Sequence, residues 1–304
     1  MRRPYIDFMG NRRWMFLASG VVLVIAIASL ALFGLGLGIE FRGGSAITLS
    51  KVQGQTIETV RAAAAAASLA DAQVQTTQGG FIIRSTETST TAADNAGAAI
   101  ASKLKVTSAN TQVSTIGPEW GANITNAALV ALTVSIIAIL LYVTIRFEFK
   151  MAVTGVVALA HDVVITLGLY ALLGHFSPGF ALTPNTVAAL LTIMGYSLYD
   201  TIVVFHRIRE NTQNLSKKTF MQMANDSLNQ VLARWVNTGL SSLIPVICLL
   251  VIGGSTLKDF AFALTVGLVS GAYSSLGVAS PLYVLWKERE PRYQALAKKF
   301  APAK

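Results

Sequence analysis

Six stretches of this chain are each apolar for roughly twenty residues, the length needed to cross the hydrocarbon of a bilayer. They run near Met15–Ile39, Ile124–Ile145, Met151–Leu173, Asn185–His206, Arg234–Gly253 and Phe260–Trp286. Backbone in lipid must satisfy its own hydrogen bonds, so runs of this kind read as membrane helices. Composition agrees: of 304 residues 53% are hydrophobic and only 13% charged, against about 25% charged in soluble domains. A net charge of +9 could signal nucleic acid, but the basic residues flank the apolar runs. They orient helices against lipid, and no nucleic-acid partner is expected. The lone cysteine, Cys248, lies among apolar residues, so neither a disulfide framework nor a metal site is expected. The first run is too long for the apolar part of a signal peptide and reads as a retained span.

Six spans place both termini on one side. Arg2, Arg3, Arg12 and Arg13 precede the first span, and Arg146 and Lys150 follow the second. Arg207, Arg209, Lys217 and Lys218 follow the fourth; Lys287, Arg289, Arg292, Lys298 and Lys299 follow the sixth. The loop Gly174–Pro184 has no Lys or Arg, and the last outer turn has only Lys258. Cytoplasmic loops carry the Lys/Arg excess, so both termini are expected in the cytoplasm of a bacterial plasma membrane protein. Trp14, Trp120, Trp235 and Trp286 fall at span ends, as an interfacial aromatic belt requires.

The expected division is residues 1–39 as N-terminus and first span, 40–120 as a domain outside the cytoplasm, and 121–286 as spans two to six. A cytoplasmic loop is expected at about 207–233 and a basic tail at 287–304. Within 40–120, Ser45–Leu49 reads as a strand, Thr56–Ala70 as an alanine-rich helix, and Gln73–Thr77 with Phe81–Ser85 as a hairpin around Gln78-Gly79-Gly80. Ser89–Leu104 is a second helix capped by Ser89 or Thr90, and Gln112–Ile116 a last strand. That β-α-β-β-α-β order is the ferredoxin-like arrangement. The fold class is therefore a polytopic α-helical membrane protein of six transmembrane helices with one ferredoxin-like α+β domain between the first two. The domain lacks Cys, His and clustered carboxylates, so it reads as a binding or mechanical module.

Inside the fourth span stands Asp200, with Ser197, Tyr199 and Thr201 around it. A charge there costs about 2.5–3.5 kcal/mol on insertion scales, which makes an ionisable residue in a span a functional candidate. On the fifth, Arg234, Asn237, Thr238, Ser241 and Ser242 recur at helical spacing, and such a stripe normally faces the bundle interior or a water-filled cavity. Asp200 lies about 9 Å from the inner boundary at 1.5 Å per residue, within reach of Arg234. A buried Asp200–Arg234 pair suits a proton relay; Arg234 snorkelling to lipid phosphate is the competing reading. The third span carries His161-Asp162. Adjacent residues point about 100° apart on a helix, which argues against a mutually held pair and makes Asp162 a second point of the polar network. Gly267, Ser270, Gly271, Ser274 and Ser275 on the sixth read as close helix packing. There is no Walker A loop and no G-x-S-x-G elbow, so no nucleotide hydrolysis and no enzyme activity are expected.

Taken with Gly38-Ile39-Glu40-Phe41-Arg42-Gly43-Gly44, Gly117-Pro118, Arg146-Phe147-Glu148, His161-Asp162, the run Gly195–Phe205 and Arg207–Asn211, the chain resembles the SecDF family. These are accessory proteins of the Sec preprotein translocase within the resistance-nodulation-division superfamily. The resemblance implies proton-driven assistance to protein export, with SecD, the SecYEG channel, SecA indirectly and unfolded preprotein as partners, besides membrane lipid. Protons are the coupling ion and no cofactor is implied. It assigns the relay to Asp200 and Arg234, support to Asp162, Ser197, Tyr199, Thr201, Asn237 and Thr238, and a hinge or linker to Gly43 and Gly44. Tyr199 stands where the family usually has Asn, and His206 where it has Asp. A small-molecule half-transporter of the same superfamily is the alternative reading. An intramembrane aspartyl protease, using the Tyr199-Asp200 dipeptide with Asp162, is a remote one, since Asp162 lies about 16 Å from the boundary.

Overall fold

The computed structural model describes residues 5–52, 54–70, 72–77, 79–176, 180–253 and 255–300. Arg2, Arg3 and Gln78, which entered the sequence reading, lie outside them, as does part of the Gly174–Pro184 loop. Among the described residues, six helices are long and apolar enough to cross a membrane. They are α1 (Arg12–Phe33), α5 (Pro118–Arg146), α6 (Phe149–Phe176), α7 (Pro184–Gln213), α8 (Phe220–Ile252) and α9 (Ser255–Ser274), the last continued through a π turn into α10 (Ser280–Lys287). The π turn spans Ser275–Ala279. Pro281 has no N–H to give the carbonyl one turn back, which loosens the ladder there. A terminal helix, α11 (Pro291–Phe300), lies in the expected basic tail.

Some bounds differ from the expectation. The first span stops at Phe33 rather than Ile39, because Gly34 turns out of the helix with φ +67°. The fifth helix starts at Phe220, so the expected loop at 207–233 is mostly helix. Thr219 opens α8 with a capping box to Gln222, and Phe220, Met223, Ala224, Leu228 and Val231 bury one face of that extension. Trp235 consequently sits within α8, its indole donating to the Ala272 carbonyl at 3.2 Å. Two short charged contacts fasten the same end of the molecule, Lys150–Glu290 at 2.7 Å and Lys287–Glu148 at 2.5 Å.

Between α1 and α5 lies the polar domain. A four-residue helix, α2 (Ile39–Arg42), leads into β1 (Gly44–Ser50), α3 (Ile57–Ala66), β2 (Gln73–Thr77), β3 (Gly80–Ser85), α4 (Thr90–Lys103) and β4 (Thr111–Ile116). The strands form one antiparallel sheet in the order β2-β3-β1-β4. Ile47, Leu49, Phe81 and Ile83 pack with Val60 and Ile100 from the helices in a single apolar core. Each such side chain contributes about 1.5–3 kcal/mol on burial. Entry and exit are neighbours, since Gly44 pairs with Ile116. Gly43 and Gly44 adopt φ +79° and +139°, and a Cβ on Gly44 would stand 2.3 Å from the Ser85 carbonyl oxygen. Only glycine fits that turn.

Candidate functional site

The polar residues of the spans converge where α6, α7 and α9 pack together. Gly267 and Gly271 make this approach possible, since a Cβ on them would stand 2.2 Å from Ile193 Cδ1 and 2.9 Å from Ser197 Cβ of α7. At the centre is Asp162, fully buried. Ser197 donates to its Oδ2 at 2.7 Å and Ser274 to the same oxygen at 2.7 Å. Ser270 donates to Oδ1 at 2.6 Å, and His161 Nδ1 lies 3.0 Å from Oδ1. His161 Nε2 in turn meets Ser19 Oγ of α1 at 2.5 Å. With Nδ1 as donor to the carboxylate, Nε2 accepts from the serine and every partner is satisfied. Four helices are thus joined through one carboxylate.

This corrects the expectation that His161 and Asp162 cannot hold one another. Their Cα–Cβ bonds diverge on the helix, but Nδ1 and Oδ1 sit near the base of their side chains, close enough to meet at 3.0 Å. The network also recruits Ser19, Ser270 and Ser274. The serines of the sixth span had been assigned to packing alone. Their i, i+4 spacing on the Gly267/Gly271 face was the signal that they point at α6 and α7.

Asp200 is different. It is 4% exposed, and its Oδ2 is buried without a hydrogen-bond partner among the described residues. Tyr196, one turn earlier on α7, has a buried hydroxyl that is likewise unpartnered. Thr201, beside Asp200, bonds Ser275 Oγ at 2.9 Å and the Ser197 carbonyl at 3.1 Å. It thereby ties α7 to the first residue of the π turn. No hydrogen bond joins Asp162 to Asp200 among the described residues; the oxygens of Asp162 are taken up by serines and histidine.

The expected Asp200–Arg234 pair is not formed. Arg234 and Asn237 are exposed, Thr238 is half-buried, and Arg234 has no carboxylate within ion-pair distance among the described residues. Trp235, Gly239 and Leu243 of α8 face α7 and α9 across a cleft of about 330 Å³; of the stripe, Arg234, Asn237 and Ser241 are exposed on this chain, and Thr238 and Ser242 are half-buried. Tyr199, expected to support Asp200, is 53% exposed. Gly43 and Gly44 lie far along the chain from this centre, at the junction of α2 with the sheet.

Comparison with known proteins places these features in context. Residues 97–289 match the family described as protein export membrane protein SecD/SecF, C-terminal. The chain is 39% identical over 302 residues to the protein translocase subunit SecF of Streptomyces coelicolor, covering 96% of this chain and 80% of the relative. It is 36% identical to the SecF of Calditerrivibrio nitroreducens, covering 94% and 96%. Against the crystal structure of SecDF from Thermus thermophilus, described as a translocon-associated membrane protein, the TM-score is 0.85 at 37% identity. That match covers 94% of this chain and 39% of SecDF.

Proposed function

This chain belongs to the SecD/SecF family of protein export membrane proteins, and we propose that it is one half of a proton-driven machine that assists protein export. The observation that carries this reading is Asp200, a carboxyl group buried in a span with one oxygen unpartnered. An unpaired buried carboxylate is far more costly than a neutral carboxyl, so we read this arrangement as the protonated state. Release of the proton leaves an anion that needs a cation, and Arg234 on the neighbouring α8 is the candidate. Drawing α8 and Arg234 toward α7, then letting them part, converts proton passage into helix motion. Moving one charge across 100 mV supplies about 2.3 kcal/mol, enough to bias two packings of the same helices.

Asp162 supports this cycle as a fixed polar knot that keeps α1, α6, α7 and α9 in register. The outer domain reads as ferredoxin-like, a reading supported by its β-α-β-β-α-β order and its antiparallel β2-β3-β1-β4 sheet. It would engage unfolded preprotein on the outer side, moving at Gly43-Gly44. The uncovered polar face of α7 and α8 calls for a second half, which is the role assigned to SecD. The assembly would serve the SecYEG channel, with SecA acting indirectly, in a bacterial plasma membrane with both termini in the cytoplasm.

The test is Asp200→Asn, which keeps size and hydrogen-bonding capacity but holds the site neutral. In vesicles carrying the translocase, this variant is expected to assemble normally and to lose the stimulation of preprotein transport by the proton motive force. Stimulation equal to wild type would overturn the relay.

A further inference from the structure

Two sequence motifs take no part in the proton site, Arg146-Phe147 at the end of α5 and Arg209-Glu210 near the end of α7. The fold brings them together. Arg146, Phe147, His206, Arg209, Glu210 and Gln213 line one cleft of about 270 Å³. His206, Arg209 or Glu210, and Gln213 recur at helical spacing and so present one face of α7 to the end of α5. Arg209 is anchored by donating to the Arg146 carbonyl at 3.3 Å, which uses one of its five N–H groups. The carboxylate of Glu210 is engaged by Arg207 at 2.7 Å. Neither Arg146 nor Arg209 has a carboxylate partner within ion-pair distance among the described residues. The cleft therefore holds two guanidiniums without a carboxylate partner, an imidazole, and the carboxylate of Glu210, which Arg207 engages.

Its setting names the ligand. The cleft opens at the end of α5, the helix whose apolar stretch is only 6% buried within the chain. Leu141, Tyr142 and Ile145 stand exposed directly before Arg146, so an apolar surface runs into a cationic one. We propose that this cleft binds the phosphate of an anionic phospholipid, its acyl chains lying along α5. Arg forks match phosphate oxygens in bidentate geometry, and basic pockets between spans are a recurrent form of lipid headgroup site. Glu210, held by Arg207, bounds the cleft on its polar side.

The full chain, purified in mild detergent, would be titrated with phosphatidylglycerol and separately with phosphatidylcholine, and bound lipid read by native mass spectrometry. Wild type is expected to retain phosphatidylglycerol over phosphatidylcholine. Arg146→Gln, whose side chain makes no hydrogen bond within the chain among those described, is expected to lower that preference about fivefold, from the ~1 kcal/mol that each basic group adds near a lipid surface. Arg146→Gln with Arg209→Gln should lower it further. Arg146→Lys with Arg209→Lys keeps the charge and the fold but loses the forks, and should fall between. Lys217→Gln with Lys218→Gln, at the same end of the molecule, should leave it unchanged. An equal loss in the lysine control would mean diffuse charge attraction and overturn the site. Displacement of the lipid by millimolar inorganic phosphate would mean a free-phosphate site and overturn the lipid assignment.

Discussion

A buried carboxylate is cheapest when each oxygen finds donors, and Asp162 meets that condition where Asp200 does not. The difference predicts opposite responses to substitution. Asp162→Ala leaves Ser197, Ser270 and Ser274 without their acceptor. With about 1–3 kcal/mol for each stranded buried polar group, the loss should be large even if two serines turn to backbone carbonyls. Ser197→Ala removes one donor to a charged acceptor and should cost about 1.5–3 kcal/mol. Asp200→Asn removes no hydrogen bond to Oδ2 and should barely move stability. Thermal unfolding of the three variants in detergent checks the ranking; an Asp162→Ala variant as stable as wild type would remove Asp162 from its structural role. The two carboxylates were legible in the sequence because ionisable groups are conspicuous in apolar runs. Of the serines around Asp162, only Ser197 was legible as part of a polar network. A serine in a span serves equally as a small packing residue, and only the fold shows that Ser19, Ser197, Ser270 and Ser274 face one point.

At the scale of elements, the turn into the sheet depends on one glycine more than its neighbours do. Gly44, at φ +139°, has the Ser85 carbonyl oxygen 2.3 Å from where a Cβ would stand, whereas Gly54, at φ +72°, has open space around it. Gly54→Ala should cost about 1–2 kcal/mol, the left-handed penalty alone. Gly44→Ala adds a backbone collision beside the Ser45–Ser85 pairing and should open β1 from β3. Limited proteolysis of the outer domain in the full chain separates the two: rapid cleavage in Gly44→Ala with near-normal resistance in Gly54→Ala. Equal resistance would show that β1 can shift to absorb a side chain there. The strands and helices of this domain follow the alternation and caps read from the sequence, because a half-buried sheet imposes period two directly. The length of α8 was hidden, since Phe220–Ala233 mixes polar and apolar residues and falls below the threshold of an apolar run. It is an amphipathic extension packed on the apolar cluster of Phe205, Ile208, Tyr283 and Tyr293.

For the whole molecule, the decisive feature is what the chain leaves uncovered. Tyr199 is 53% exposed on α7, and Arg234, Asn237 and Ser241 are exposed on α8. On α5, by contrast, the exposed residues are Leu129, Val130, Val134 and Ile137. Lipid suits the second surface and not the first, because polar groups within spans face protein or water-filled cavities. The sequence carried both patterns, but a helical wheel ranks faces and cannot say whether the polar one turns toward the same chain or another. The structure turns Trp235, Gly239 and Leu243 of α8 toward α7 and α9, which leaves Arg234, Asn237 and Ser241 exposed on this chain. Cysteines introduced singly at Tyr199, Asn237 and Val134, after the exposed Cys248 is replaced by alanine, give a direct test in native membranes. A maleimide–benzophenone reagent, attached at the new cysteine and then photolysed so that it inserts into a neighbouring C–H bond, should join the variants at 199 and 237 to the SecD half, identified by mass. The variant at 134 should give no such adduct and should react instead with lipid-soluble maleimide. Adducts to SecD from 134, with none from 199 or 237, would place the partner on α5 and leave the polar stripe lining a water-filled path of its own.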